Sequence, residues 1–134
     1  MDSFKAYLQE EGIANHVDLL GWISHDELSG YLNHHRLLVL PSCTEGLPNI
    51  MLKAMACGTP MLATPAGEVP VVIADGKTGF IMGSNLPECI AKNVLRALEH
   101  PDLEEVAEAG RQFIEENFTF KRVVERWKEV LDET

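Results

Sequence analysis

The alternation of short apolar runs with helix-patterned stretches predicts an α/β fold: a doubly wound parallel sheet with helices on both faces and an all-helical C-terminal third. Three observations carry this. The run Leu37-Leu38-Val39-Leu40 is apolar throughout, as in a strand covered on both faces. Helical stretches separate it from the other apolar runs, as parallel strands require. From residue 85 onward, helix patterns follow one another without an intervening strand.

Taken in order, residues 4–11 read as a helix ended by Gly12, and Val17-Asp18-Leu19-Leu20 as a first strand. Residues 25–34 form a second helix, with Ser24 as N-cap and Glu27 at the reciprocal capping position. The Leu37 strand follows. Residues 48–57 start with a helix-compatible proline and stop at Gly58. Met61-Leu62-Ala63-Thr64 is a third strand, residues 69–74 a short helix, and Asp75-Gly76 a turn before a fourth strand, Gly79-Phe80-Ile81-Met82. Asn85 is expected to cap a helix over residues 87–98, Asp102 to open one reaching Asn117, and Thr119 to cap the last, up to Leu131. Phe113, Phe118, Val123, Val124, Trp127, Val130 and Leu131 give the last two helices an apolar stripe, expected to pack on the sheet.

A chain of 134 residues fits a single domain, and its composition is that of an ordinary soluble globular protein. The formal net charge of −10 disfavours nucleic acid or an anionic membrane as partner of the whole surface. Residues 99–134 supply −6 of it, from eleven acids and five bases, whereas residues 36–77 are neutral. Cys43, Cys57 and Cys89 cannot all pair within one chain and match no zinc spacing, which reads as free thiols in a reducing compartment. With no signal peptide before the first acidic residues and no apolar run long enough to span a bilayer, a cytoplasmic location is expected. His16, His25, His34, His35 and His100 share no ligand spacing on one face, so no metal is expected.

Ligands of open α/β sheets sit outside the carboxyl ends of the strands, which singles out the loops after residues 40, 64 and 82. The first, Ser42-Cys43-Thr44-Glu45-Gly46, offers hydroxyls, a carboxylate and a glycine, and then opens a helix whose unpaired N–H groups suit an anion. A carboxylate beside an anion site suits a ligand carrying both phosphate and hydroxyls, such as a nucleotide-sugar. Thr64-Pro65-Ala66-Gly67-Glu68 is a second turn with a glycine and a carboxylate. From the spacing alone, ordinary strand–helix turns account for these residues as well as a ligand site does.

The motifs Leu20-Gly21-Trp22-Ile23, Leu40-Pro41-Ser42, Glu45-Gly46-Leu47-Pro48-Asn49, residues 54–60 (AMACGTP) and residues 75–80 (DGKTGF) occur in one order across nearly the whole chain. In this the chain resembles the C-terminal, donor-binding half of GT-B retaining glycosyltransferases, the family 4 or "glycosyl transferases group 1" enzymes. The resemblance implies a Rossmann-like sheet and a single, partial nucleotide-sugar-binding domain over residues 1–134. It also implies sugar transfer from a nucleotide diphosphate to an acceptor hydroxyl, without a cofactor. Glu45 is then the catalytic-site carboxylate facing the donor sugar. Ser42, Thr44, Gly46, Leu47, Pro48, Asn49, Lys53, Gly67 and Glu68 become the donor-binding positions.

The chain departs from the family pattern at three places. The family's second Glu, which hydrogen-bonds the nucleotide ribose, falls at Lys53, roughly 7 Å along the helix from its start. A lysine has donors only and cannot accept ribose hydroxyls; pairing with phosphate and facing solvent both remain open. A family Gly-Gly becomes Gly67-Glu68 and a later Glu becomes Val71. The third departure concerns what the resemblance places ahead of residue 1: two strands, the cations that neutralise the diphosphate, and the acceptor-binding half. A gap between the strands at residues 17 and 37 is therefore expected, with self-association through exposed edges. Its partners would be the nucleotide-sugar and an N-terminal acceptor-binding domain or another chain. Peripheral membrane association of the full enzyme is left open. Two rivals stand beside this reading: a non-catalytic, degenerate module binding a partner by its open sheet edge, and half of a nucleotide-sugar epimerase.

Overall fold

A computed structural model describes residues 2–42, 46 and 49–132. Its elements are α1 (Asp2–Glu10), a 3₁₀ turn (Ala14–His16), α2 (His25–His34), β1 (Leu38–Leu40), α3 (Asn49–Ala56), β2 (Met61–Ala63), α4 (Val69–Val72), β3 (Phe80–Ile81), α5 (Pro87–Leu98), α6 (Leu103–Asn117) and α7 (Phe120–Asp132). The three strands form one parallel sheet in the order β1-β2-β3, with Leu38 opposite Met61, Leu40 opposite Ala63 and Leu62 opposite Phe80.

Period-two alternation divides the sheet between two apolar cores. Leu38, Leu40, Met61, Ala63 and Ile81 face one core, with Leu32 of α2, Met51, Ala54 and Met55 of α3, and Ile114 of α6. Leu37, Val39, Leu62, Phe80 and Met82 face the other, with Ile90, Val94 and Ala97 of α5 and Val106 of α6. Helices therefore cover both faces, as in Rossmann-like domains. All three residues of β2 are sealed from solvent, as expected for the middle strand of a parallel sheet. Fully burying each such Met, Leu or Phe side chain contributes about 1.5–3 kcal/mol.

Local chemistry fixes the ends of the elements. Ser24 Oγ accepts the Glu27 N–H at 3.3 Å and caps α2. Gly58 follows α3 at φ +76°, a value other residues rarely take. The buried Thr59 hydroxyl then donates to the Leu32 carbonyl, tying the start of β2 to α2. Thr119 Oγ1 accepts the Arg122 N–H at 3.3 Å and caps α7.

Three expectations are corrected. Residues 17–20 are not a strand. Asp18, Leu19 and Leu20 are exposed, and residues 18–23 form no backbone hydrogen bond with any described residue. An extended segment becomes a strand only when a neighbour completes its ladder, and no described residue pairs with this one. The sheet consequently has no internal gap; it is contiguous, with β1 and β3 as its edges. The cap of α5 is Leu86 rather than Asn85. Pro87 at the first helical position has no N–H to satisfy, and Ser84 Oγ accepts the Leu86 N–H at 3.4 Å. Finally, the stripe on α7 does not pack on the sheet. Val123, Val130 and Leu131 are exposed and Trp127 is 62% exposed, because α7 leaves α6 at Phe118 and lies beyond the sheet's cover.

Candidate functional site

The carboxyl ends of the three strands carry a stitched pair of loops. Thr64, just after β2, is buried, and its hydroxyl donates to the Ser42 carbonyl just after β1. The Thr64 N–H extends the ladder to the Leu40 carbonyl at 3.3 Å. Further out, the Glu68 N–H donates to the Gly46 carbonyl at 2.9 Å. The two turns singled out by their residue types are thus bonded to each other, twice, across the end of the sheet.

Ser42, Gly46, Gly67 and Glu68 are brought together by these bonds. A Cβ on Gly46 would meet no described residue within 4 Å. Gly67 turns the chain at φ +54°, in the left-handed region. Glu68 sits at φ −87°, where a side chain costs nothing, and its carboxylate is exposed. Val71, on α4, is exposed as well. Asn49 is the exposed first residue of α3, whose start follows β1 across the first loop. Thr44, Glu45, Leu47 and Pro48, with Cys43, lie outside the described residues.

Lys53 is placed differently. Its half-buried side chain lines a groove of about 360 Å³ between α2 and α3, with Asp26, Ser29 and Leu32. It is not among the residues that line the cleft at the strand ends.

That cleft, about 270 Å³, lies between Ser42 and Thr64-Pro65-Ala66 on one side and Gly83-Ser84-Asn85 on the other. The third loop was singled out by position but not by residue type. From the sequence Asn85 is expected only as a helix cap, and only the fold turns Ser84 and Asn85 toward the other two loops. Cys89, at the start of α5, is linked to this loop. Hydrogen bonding from the Ser84 hydroxyl, then from the backbone of Ser84 and Gly83, holds its thiol below the ordinary value, although burial pushes the other way. Cys57 and Cys89 are both free thiols.

A larger cavity, about 580 Å³, opens near Arg36 and Pro60, which precede β1 and β2, and near His100 and Glu104. It lies at the amino ends of the strands, where open parallel sheets do not bind their ligands. Size alone therefore does not make it the site. Among the described residues no cluster of three or more His, Cys, Asp or Glu is placed to hold a metal ion. Among them, too, no helix is long and apolar enough to cross a membrane.

Comparison with known proteins agrees with this architecture. Residues 1–115 match the family described as Glycosyl transferases group 1. An uncharacterized glycosyltransferase of Methanocaldococcus jannaschii is 28% identical over 120 residues, covering 89% of this chain and 34% of its own length. A D-inositol 3-phosphate glycosyltransferase of Streptomyces scabiei is 33% identical over 92 residues, covering 69% of this chain and 21% of its own length. The chain thus spans about a third or less of these curated relatives. Among solved structures, Anabaena HepE in complex with UDP superimposes with a TM-score of 0.89 over 99% of this chain and 36% of its own, at 18% identity. At that identity the likeness is one of fold.

Proposed function

The chain belongs to the glycosyl transferases group 1 family, and from that premise we propose that it forms the nucleotide-sugar-binding part of a retaining glycosyltransferase. The observation that carries the reading is the pair of stitched loops at the carboxyl ends of β1 and β2, in a fold shared with the UDP-bound HepE. In this reading the donor's sugar lies toward Glu45 and its phosphates toward Gly46, Leu47 and the first turn of α3, near Asn49. N–H groups at such a helix start stabilise the charge that develops on the leaving phosphate, without a metal ion or a cofactor. Ser42 and Gly67 belong to the same pair of loops, and the family pattern adds Thr44 and Pro48 as donor-binding positions. The exposed Glu68 side chain turns to solvent when donor binds, since a carboxylate close to a diphosphate is repulsive.

Transfer to an acceptor hydroxyl needs groups beyond those of residues 1–134: an acceptor-binding domain and cations for the diphosphate. The chain by itself is therefore expected to bind donor without turning it over. Calorimetric titration with UDP tests the binding, and heat-free titration up to millimolar nucleotide would overturn the reading. Steady sugar transfer from a UDP-hexose by the purified chain would overturn the expectation of inactivity.

A second reading, a degenerate module that has lost donor binding, is favoured by the placement of Lys53. Where the family pattern calls for a ribose acceptor, this chain has a lysine that lines the α2–α3 groove beside Asp26. Replacing it by the acid, Lys53→Glu, separates the two readings. A gain in UDP affinity of about tenfold marks a donor site that lacks one ribose contact. No binding by either form marks a degenerate one.

A further inference from the structure

The outer edge of β3 is covered by a clasp rather than by another strand. Asp75 Oδ1 accepts the Ile81 N–H at 2.9 Å, and Arg96 Nη2 donates to the Ile81 carbonyl at 3.0 Å. Both backbone groups of Ile81 that point away from β2 are thus occupied by side chains. The two side chains hold each other as well: Arg96 Nη2 and Nη1 donate to the two Asp75 carboxylate oxygens at 3.0 and 3.3 Å. Arg96 is further fixed by Asn93 Oδ1, which accepts from Nε at 3.1 Å, and by the Phe80 ring, whose centroid lies 5.4 Å from its Cζ. An exposed ion pair of this kind usually contributes little to stability. A fork that seizes a backbone carbonyl, a carboxylate and an amide together serves geometry instead.

The geometry lies next to the cleft. One residue beyond Ile81, Met82 is sealed in the core and its N–H bonds back to the Ala63 carbonyl at 3.0 Å. The chain then enters Gly83-Ser84-Asn85, the far wall of the strand-end cleft. Met82 fixes the inner side of that exit and the clasp fixes the outer side, while neither Asp75 nor Arg96 lines the cleft.

We infer that the Asp75–Arg96 clasp sets the width of the strand-end cleft by positioning the loop at residues 83–85, which makes Arg96 a positioning residue for a nucleotide-sugar it does not touch. The inference rests on the donor-binding reading and adds a specificity wall to it: the Ser84 hydroxyl and Asn85 amide face the polar groups of the ligand. Lysine in place of Arg96 keeps the charge but loses the fork, so the conservative change separates geometry from charge.

The test compares the full chain with its Arg96→Lys and Asp75→Asn variants, and with Ala107→Gly as a control that weakens α6 away from the loop. Two readouts are taken: UDP affinity by calorimetry, and the pH profile of Cys89 alkylation resolved by peptide mass spectrometry. Ser84 and Gly83 lower the Cys89 thiol and so couple it to the loop. Asn93 Nδ2, whose Oδ1 accepts from Arg96, also donates to Cys89 Sγ at 3.5 Å, so Asp75→Asn, which leaves Arg96 and Asn93 unaltered, is the variant that isolates the loop. The expected result is an affinity loss of about tenfold in both clasp variants. The Cys89 profile should also move upward in both, toward the ordinary thiol value. The control should lower the melting midpoint and move neither readout. An unchanged Cys89 profile in both variants overturns the positioning, whatever the affinities. A shifted profile with wild-type affinity overturns the role in binding. If the unaltered chain binds no UDP, the donor-binding reading itself fails and takes this role with it, an outcome distinct from the other two.

Discussion

Gly110, in the middle of α6, shows how a single missing methyl sets the packing. A Cβ there would stand 2.6 Å from the Thr78 carbonyl oxygen and 3.2 Å from Met55 Cε. Helix preference favours alanine over glycine by about 1 kcal/mol. The clash is with backbone held in a turn: the Thr78 hydroxyl donates to the Val72 carbonyl and accepts the Ala74 N–H, so the oxygen has little room to retreat. Overpacking costs about 1–3 kcal/mol. Gly110→Ala is therefore expected to lower stability in chemical denaturation, and an increase would show that α6 slides freely. Asp75 gives a second residue-scale expectation. Burial pushes its carboxyl up, but the Arg96 hydrogen bond, the Ile81 N–H and the charges of Arg96 and His100 outweigh that and hold it below its ordinary value of 3.8. A depressed folded-state value means that the ionised carboxylate stabilises the fold above the ordinary value, and that the stabilisation fades as pH falls through it. Wild type should therefore melt above Asp75→Asn at pH 6. The difference should shrink as the pH falls below 3.8 and close only once it has passed the depressed folded-state value. A pH-independent difference would mean that the contacts of Asp75 do not depend on its charge.

At the scale of elements, α6 and α7 differ in what their apolar residues meet. On α6, Val106, Ala107, Gly110 and Ile114 are buried, while Arg111 pairs with Glu108 and Glu115 on the outer face. On α7, the apolar stripe is as regular, yet Trp127 and its neighbours are exposed; Phe118 and Arg126 border a shallow cleft of about 360 Å³ there. Periodicity states that a helix has an apolar face, and only packing states what covers it. Trp127→Ala should cost less than about 1 kcal/mol in thermal unfolding. Phe80→Ala, at a fully sealed position on β3, should cost about 3–5 kcal/mol. Similar losses at the two positions would show that α7 is anchored more firmly than its exposure implies.

Across the whole molecule, the sheet runs β1-β2-β3 and the segment at residues 17–24 lies outside it, with Trp22 88% exposed. β2 is the strand paired on both sides, and its ladders are extended by the Thr64 N–H on Leu40 and the Met82 N–H on Ala63. Amide exchange should follow that gradient. Thr64 and Met82 are expected in the slowest class, and Leu19, Leu20 and Trp22 in the fastest. Slow exchange at residues 19–22 would mean that another chain completes their ladder, as the self-association expectation requires.

The helices and the three strands were legible in the sequence, because periodicity and capping are local and act through the nearest few residues. Family membership was legible for the same reason: each of its motifs is a short run of consecutive residues. What the sequence could not state is where a side chain ends up once elements pack. Tertiary structure alone sent Lys53 to the α2–α3 groove, left the α7 stripe uncovered and denied residues 17–20 a ladder. It also turned Ser84 and Asn85 into the third wall of the cleft, with Arg96 behind them. Each of these depends on a partner distant in sequence, and no local pattern encodes which partner is present.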